Sequence, residues 1–356
     1  MSKDNCLAND EKRKNINLAL MILVTGGTGL VGSHLLYHLA QKNDFIRATY
    51  RNKSKIDTVR HVFTYYTDNP SNLFDKIEWI ECDITNIPQL DLAFKNITHV
   101  YHCAAMVSFD PNDYYQLRNI NIDGTANVVN FCVSNNIQKL CYVSSIATLG
   151  KTDDTSLITE KTEWNKEEPH NVYAITKYGA EMEVWRGTQE GLNVVIVNPG
   201  IIIGPGYWNS SSGYIFNKIF KGLSYYTTGK TGYIDVNDLS SAMLKLMNSN
   251  SKNEAYIIVN EHLSFQEFSH KIAMNLNVKP PSKAVSNKML NVAWRFDWLR
   301  YFFTRSKRTI TKQLAKNLNN HSFYNNKKLL DTIDIELKPI DVSISETCQF
   351  FLNDLN

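Results

Sequence analysis

The stretch Thr25-Gly26-Gly27-Thr28-Gly29-Leu30-Val31-Gly32 limits what this chain can become more than any other. Four apolar residues, Met21 to Val24, precede it, a short run bounded by glycine that fits a strand buried on both faces. Leu30, Val31, Leu35, Leu36 and Leu39 follow at helical spacing. Gly26 permits the tight turn, Gly29 lets the backbone approach a pyrophosphate, and Gly32 lets the helix sit close to the strand. The unpaired N–H groups of the first helical turn then face the anion. Such a triplet also occurs in ordinary strand-to-helix turns. The strand before and the helix after supply the context of a dinucleotide site, with Gly26, Thr28, Gly29, Leu30 and Gly32 as expected cofactor contacts.

With 356 residues the chain can bury one large core or two joined ones, and its net charge of +3 is too small and too scattered to argue for nucleic acid. Residues 1–20 are polar and aperiodic and read as a disordered extension. The apolar run Ile16 to Val24 is not a signal peptide, because it leads straight into the glycine turn. No run of 18 apolar residues suggests a spanning helix. Cys6, Cys82, Cys103, Cys132, Cys141 and Cys348 have no paired spacing and read as free thiols of a reducing, cytoplasmic compartment, with no metal grammar.

Strands and helices alternate from there on. Phe45–Tyr50 is a strand ending at Arg51-Asn52-Lys53-Ser54-Lys55. An NAD-selective fold commonly carries an acid about 20 residues past the glycines for the ribose 2′-hydroxyl, whereas an arginine suits a 2′-phosphate. Arg51 therefore favours NADP(H), with NAD(H) as the alternative and Lys53 or Lys55 as a second contact; a solvated basic loop is the plain reading. A helix over 55–66, a strand over Ile77–Cys82 ending at Asp83-Ile84, a helix near Leu90–Phe94 and a strand over Val100–Cys103 ending at Ala104-Ala105 follow. Asp83 and Ile84 are expected against the adenine, and Ala104 and Ala105 are small enough for a flat cofactor to lie on the backbone. A long helix over 114–133, broken at Asp123-Gly124, and a strand over Ile137–Val143 lead to Ser144-Ser145. The pattern predicts an α/β fold, a Rossmann-type doubly wound parallel sheet over 21–200 with returning elements near 233–260. A smaller, mainly helical substrate domain is expected over 201–356.

Tyr173 and Lys177 stand one turn apart on a segment that can be helical. Among 18 tyrosines, Tyr214, Tyr226 and Tyr324 also have lysine four residues on, but only Tyr173 has a serine at a strand end shortly upstream.

These features together resemble the extended short-chain dehydrogenases/reductases. The marks are the glycine turn, Asp83, His102-Cys103-Ala104-Ala105, Asn121-x-x-Gly124-Thr125, Val143-Ser144-Ser145, Tyr173-x-x-x-Lys177 and Asn198-Pro199-Gly200, in family order from 21 to about 240. Gly150, five residues on, aligns Ser145 rather than Ser144 with the family serine. The resemblance implies that Tyr173 is the general acid/base, its pKa lowered by Lys177 and a cationic nicotinamide. It implies that Lys177 holds the nicotinamide ribose, that Ser145 hydrogen-bonds the reacting oxygen, that Asn121 ties helix to sheet, and that Pro199 and Ile202 line the nicotinamide.

Nucleotide-sugar epimerases of this family clamp a diphosphate with arginines, yet none occurs between Arg186 and Arg295. Gly229 to Val236 stands where they carry an arginine-bearing turn, and Lys218, Lys221 or Lys230 could partly substitute. Sugar dehydratases add an Asp-Glu pair where Ile146-Ala147 stand here. Ile46 to Arg51 is similar to the second strand of dihydroflavonol-reductase-like members, and the 3β-hydroxysteroid dehydrogenases are related. The expected reaction is hydride transfer between NADP(H) and an alcohol or ketone on a largely apolar small molecule. Epimerisation through a keto intermediate is the alternative, and a non-catalytic scaffold a third reading. Family members often dimerise through two long helices, here near 114–133 and 173–190, but some are monomers, so a monomer or homodimer is expected. Tyr207 to Gly213 reads as a lid or a plain surface loop. Trp294, Phe296, Trp298, Tyr301, Phe302 and Phe303, bordered by Arg295, Arg300, Arg305, Lys307 and Arg308, fit either a membrane-surface helix over 289–312 or, the favoured reading, a cover for the substrate pocket.

Overall fold

A computed structural model describes residues 21–43, 45–151, 157–304 and 318–355. The expected extension over 1–20, Cys6 and the end of the basic aromatic segment, 305–312, lie outside these residues.

Strands β1 (Ile22–Thr25), β2 (Ile46–Tyr50), β3 (Ile77–Glu81), β4 (His99–His102), β5 (Lys139–Val143) and β6 (Val194–Pro199) form a wholly parallel sheet. A later strand, β10 (Glu254–Ile258), returns to pair with β6, giving the order β10-β6-β5-β4-β1-β2-β3. The order reverses at β1, which opens a crevice at the carboxyl ends of β1 and β4. Helices cover both faces, so β1, β5 and β6 are mostly apolar and buried, whereas the edge strand β3 carries exposed glutamates. The helix Leu30–Ala40 buries Leu35, Leu36 and Leu39 completely, each contributing roughly 1.5–3 kcal/mol.

The break expected at Asp123-Gly124 is instead a π-helical stretch, Arg118–Asp123, between the helices Tyr114–Leu117 and Gly124–Ser134. Glycine stands at 124 because a Cβ there would lie 2.7 Å from Ile84 Cδ1.

The segment expected as a turn over Gly229 to Val236 is mostly a strand, β9 (Lys230–Asp235). It is the centre of a small sheet between β7 (Ile201–Ile203), parallel to it, and β11 (Glu261–Ser264), antiparallel. Two short strands, β8 (Tyr225–Tyr226) and β12 (Lys283–Ala284), pair beside it. Phe268 and Ile272 of the helix Phe265–Asn275 pack against Ile344 and Phe351 of the helix Ile340–Asn353, making a separate core. Near its C-terminal end the chain comes back along the small sheet, with bridges Lys230–His321 and Ile158–Tyr324.

The aromatics of the suspected lid are both anchored. Tyr207 Oη donates to the Thr28 carbonyl at 3.1 Å, and Trp208 Nε1 donates to Asp354 Oδ2 at 2.7 Å with its ring against Phe351. Among the described residues no helix is long and apolar enough to cross a membrane.

Candidate active site

Gly26 has φ +69°, and a Cβ there would lie 2.6 Å from the Ala104 nitrogen; one on Gly32 would lie 2.2 Å from the Gly26 carbonyl oxygen. The turn thus has neither conformational nor steric room for side chains. Gly26 N–H donates to Thr49 Oγ1 at 3.2 Å, tying the turn to β2. The helix begins at Gly29 with no side-chain cap, so its first N–H groups are available to an anion. Beside the turn lies a cavity of about 160 Å³ whose lining includes Gly26, Thr28, Gly29, Arg51, Ile84, Ala104 and Ala105. Its glycine-rich side and basic rim fit a dinucleotide. Lys55 joins this lining and Lys53 does not.

Leu30, the first residue of that helix, is buried, and Asp83 stands just outside the cavity lining. Asp83 Oδ1 accepts from Thr85 N–H at 2.9 Å and Thr85 Oγ1 at 2.7 Å, with Arg51 Nη1 3.8 Å from Oδ2. Partial burial raises its pKa, but the Thr85 hydrogen bonds and the Arg51 charge outweigh it and hold the carboxyl below its usual range.

Ser145 caps the turn Ile146–Thr148, its Oγ accepting from Ala147 N–H at 3.2 Å. Asn171 caps the helix Val172–Gln189, accepting from Ala174 N–H at 2.8 Å, which fixes the first turn carrying Tyr173. The two elements place the Ser145 hydroxyl near the Tyr173 phenol, close enough to act on its titration. Burial raises the phenol pKa and the neighbouring Ser145 hydroxyl partly offsets it, whereas the expected lowering concerns the enzyme with its cationic nicotinamide bound. One turn on, Lys177 Nζ is held by β5, donating to Tyr142 Oη at 2.7 Å and the Val143 carbonyl at 2.8 Å. Lys177 is 2% exposed, and burial brings its pKa down to about 7 against the opposing influence of Glu181. Phe109 meets the Tyr173 ring edge-on at 5.6 Å.

Behind these groups runs a buried hydrogen-bonded series. Thr25 Oγ1 and His102 Nδ1 are 2.6 Å apart, His102 Nε2 and Thr125 Oγ1 are 3.0 Å apart, and the His102 ring lies 5.4 Å from that of Tyr142, whose hydroxyl receives Lys177. Burial lowers the His102 pKa to about 3, so the imidazole is neutral. Asn121, carried by the π-helical stretch, accepts from Met106 N–H and donates to the Met106 carbonyl and to Thr176 Oγ1, joining the loop after β4 to the catalytic helix. Glu181, one turn beyond Lys177, is buried. Its Oε2 accepts from Ser144 Oγ at 2.5 Å, Thr148 Oγ1 at 2.8 Å and Asn198 Nδ2 at 3.0 Å, binding β5, the Ser145 turn and β6 together.

A larger cavity of about 390 Å³ opens next to Ile146, Ala147 and Ala174, the neighbours of Ser145 and Tyr173. Leu149, Ile158, Ile201 and Phe265 give it apolar walls, and Leu318, Asn320, Ser322 and Tyr324 close one side. Residues 289–303, expected as that cover, do not line it; the returning segment does. Of the three candidate lysines only Lys230 reaches this cavity, while Lys218 lies over the Tyr214 ring and Lys221 is exposed. Pro199 is buried at the end of β6, and Ile202 packs toward the main sheet while its neighbour Ile201 faces the cavity.

Tyr142, Thr125 and Glu181 were not anticipated as parts of the site. Glu181 did leave a trace, a carboxylate on the same helix face as Ala174, Lys177 and Val184, where an apolar residue is the norm.

The chain matches the NAD dependent epimerase/dehydratase family over residues 22–260. A putative dihydroflavonol 4-reductase of Synechocystis sp. is 28% identical over 289 residues, 78% of this chain and 79% of the relative. The UDP-glucose 4-epimerase of Vibrio cholerae is 26% identical, covering 72% of this chain and 76% of its own. The crystal structure of the UDP-glucose 4-epimerase of Thermotoga maritima superimposes with a TM-score of 0.74 at 16% identity, over 94% of this chain and 99% of that one. The matched span contains the glycine turn, Ser145, Tyr173 and Lys177, and the seven-stranded order is that of a dinucleotide-binding sheet. The chain therefore belongs to the NAD dependent epimerase/dehydratase family and is an NAD(P)-dependent oxidoreductase of the extended short-chain dehydrogenase/reductase type.

Proposed function

We propose that this protein transfers hydride between NADP(H) and an alcohol or ketone on a largely apolar small molecule. The observation that carries this reading is the 390 Å³ cavity, walled by Ile146, Leu149, Ile158, Ile201 and Phe265 and containing no arginine, immediately beside the Ser145–Tyr173 pair. In this reading residues 21–200 hold the cofactor and 201–356 supply most of the substrate site. Gly26, Thr28, Gly29, Leu30 and Gly32 receive the pyrophosphate, Ile84, Ala104 and Ala105 the adenosine side with Asp83 behind them, and Pro199 and Ile202 support the nicotinamide end. Arg51 and Lys55 at the rim favour the 2′-phosphate of NADP(H). A bound nicotinamide supplies or takes up the hydride at the substrate carbon.

Ser145 Oγ donates a hydrogen bond to the substrate oxygen and holds it against Tyr173 Oη. Tyr173 gives its proton to that oxygen during reduction and takes it back during oxidation. Developing negative charge on the phenol is favoured by the buried Lys177 ammonium one turn away, which Tyr142 and Val143 hold in position. The mainly apolar walls exclude water from the reacting carbon.

Lys230, opening β9 at the cavity wall, supports a second reading in which a diphosphate is bound and a sugar epimerised. The Vibrio and Thermotoga relatives are named for that reaction on UDP-glucose. NADPH oxidation is measured against a panel of hydrophobic ketones and aldehydes, with UDP-sugar interconversion in parallel. Turnover of a panel member that Tyr173→Phe abolishes, with NADPH affinity retained, supports the reductase. UDP-sugar interconversion without ketone reduction overturns it in favour of the epimerase.

A further inference from the structure

The helix Asn287–Thr304 carries its apolar side chains outward. Met289, Val292, Phe296, Leu299 and Phe303 follow one another at spacings of three and four residues and so share one face. All five are exposed, Phe296 at 67% and Phe303 at 75%, with Trp298 and Phe302 exposed beside them. The buried face of the same helix holds Leu290 and Asp297. Solvent-facing charge on the helix is entirely basic, Lys288, Arg295 and Arg300; its single acid, Asp297, is buried and paired with Arg300 at 2.7 Å.

The patch reaches the active site. Tyr301 Oη donates to Asn112 Oδ1 at 3.2 Å, joining the helix to a loop that exposes Val107, Phe109 and Tyr115. Phe109 in turn abuts the Tyr173 ring. A contiguous apolar and aromatic surface of this kind, studded with cations, is not an ordinary solvated helix face.

We propose that this helix and the 107–115 loop form a docking surface for the headgroup and upper acyl region of an anionic lipid bilayer. The aromatic and aliphatic side chains enter the interface, and Lys288 and Arg295 meet the lipid phosphates. Charge selects this occupant, since a second copy of the same basic face would be repelled. Docked in this way, the approach to Tyr173 past Phe109 faces the membrane, where apolar ketones concentrate.

The test reads binding without turnover, so it stands or falls separately from the proposed reaction. The whole chain is cosedimented with vesicles of phosphatidylcholine alone and of phosphatidylcholine with phosphatidylglycerol, at low and high salt. Binding to the anionic vesicles at low salt, weakened at high salt, is expected. The exposed pair F296S/F303S should weaken partitioning about tenfold or more, and R295E should weaken it on anionic vesicles, with NADPH affinity and Tm unchanged in both. No binding to anionic vesicles at low salt overturns the proposal, as does binding that neither variant diminishes. A wild-type dimer that F296S/F303S converts to monomer, without vesicle binding, would make the face an interface between copies instead.

Discussion

Lys177 Nζ donates to Tyr142 Oη at 2.7 Å, so the lysine of the Tyr-x-x-x-Lys pair is held by the strand beneath it rather than by Tyr173. Tyr142→Phe keeps the ring and removes the acceptor, leaving a buried ammonium one partner short at about 1–3 kcal/mol. Thermal unfolding should register that loss. If the lysine is positioned this way for catalysis, kcat falls about tenfold, the equivalent of about 1.4 kcal/mol, while the Kd for NADPH stays nearly constant. Equal kcat in the two proteins would separate the tyrosine from the reaction.

Glu181 gathers hydroxyls from Ser144 and Thr148 and the amide of Asn198. In Glu181→Gln one acceptor oxygen becomes a donor facing donors, and about 2–3 kcal/mol of stability should be lost. Because Ser144 precedes Ser145, turnover should fall further than stability explains. That is read as reduced kcat at a temperature where circular dichroism finds the variant folded.

Arg51 is exposed and only loosely tethered to Asp83, at 3.8 Å. Its guanidinium can therefore turn to a phosphate at little cost. Arg51→Ala should reduce the preference for NADPH over NADH by about tenfold to a hundredfold, the range for a charge-assisted hydrogen bond worth about 1.5–3 kcal/mol. An unaltered ratio of kcat/KM for the two cofactors would remove Arg51 from that role.

Two buried imidazoles set a pH dependence. His34 lies between the Pro205 carbonyl and the Tyr66 hydroxyl, and burial holds its pKa, like that of His102, at about 3. Folded values lie below the unfolded ones, so between about 6.5 and 3 the unfolded chain binds more protons and stability falls as pH falls. Each histidine contributes about 1.4 kcal/mol per pH unit. Burial raises Asp238 to about 6, which acts with the opposite sign between about 4 and 6. Urea unfolding of His34→Asn at pH 6.5 and pH 5 isolates one contribution: the slope should be shallower than wild type by about 1.4 kcal/mol per pH unit.

The main sheet is readable from the sequence because strands covered on both faces are short, apolar-rich runs. β1, β2, β4 and β5 begin and end within about two residues of those runs. β9 escapes notice because Lys230-Thr231-Gly232 begins it without an apolar run, and its partners β7 and β11 are separate stretches of chain. The Ser145–Tyr173 pair is visible because helix spacing and a strand end are local signals. Its supports are not, since Lys177 meets Tyr142 across 35 residues and Glu181 meets Ser144 across 37. The outward aromatics of Asn287–Thr304 illustrate a further boundary: periodicity identifies an apolar stripe but not what it faces.

The wall that Leu318, Asn320, Ser322 and Tyr324 lend to the larger cavity sets the two binding sites apart along the chain. The cradle beside the glycine turn draws its lining from Gly26 to Ile120, with Tyr207 of the second half bracing the Thr28 carbonyl from outside. The substrate chamber is closed on one side only where Tyr324 meets Ile158. The dinucleotide cradle is thus lined locally in the chain, whereas the substrate chamber is lined from Ile146 through to Tyr324.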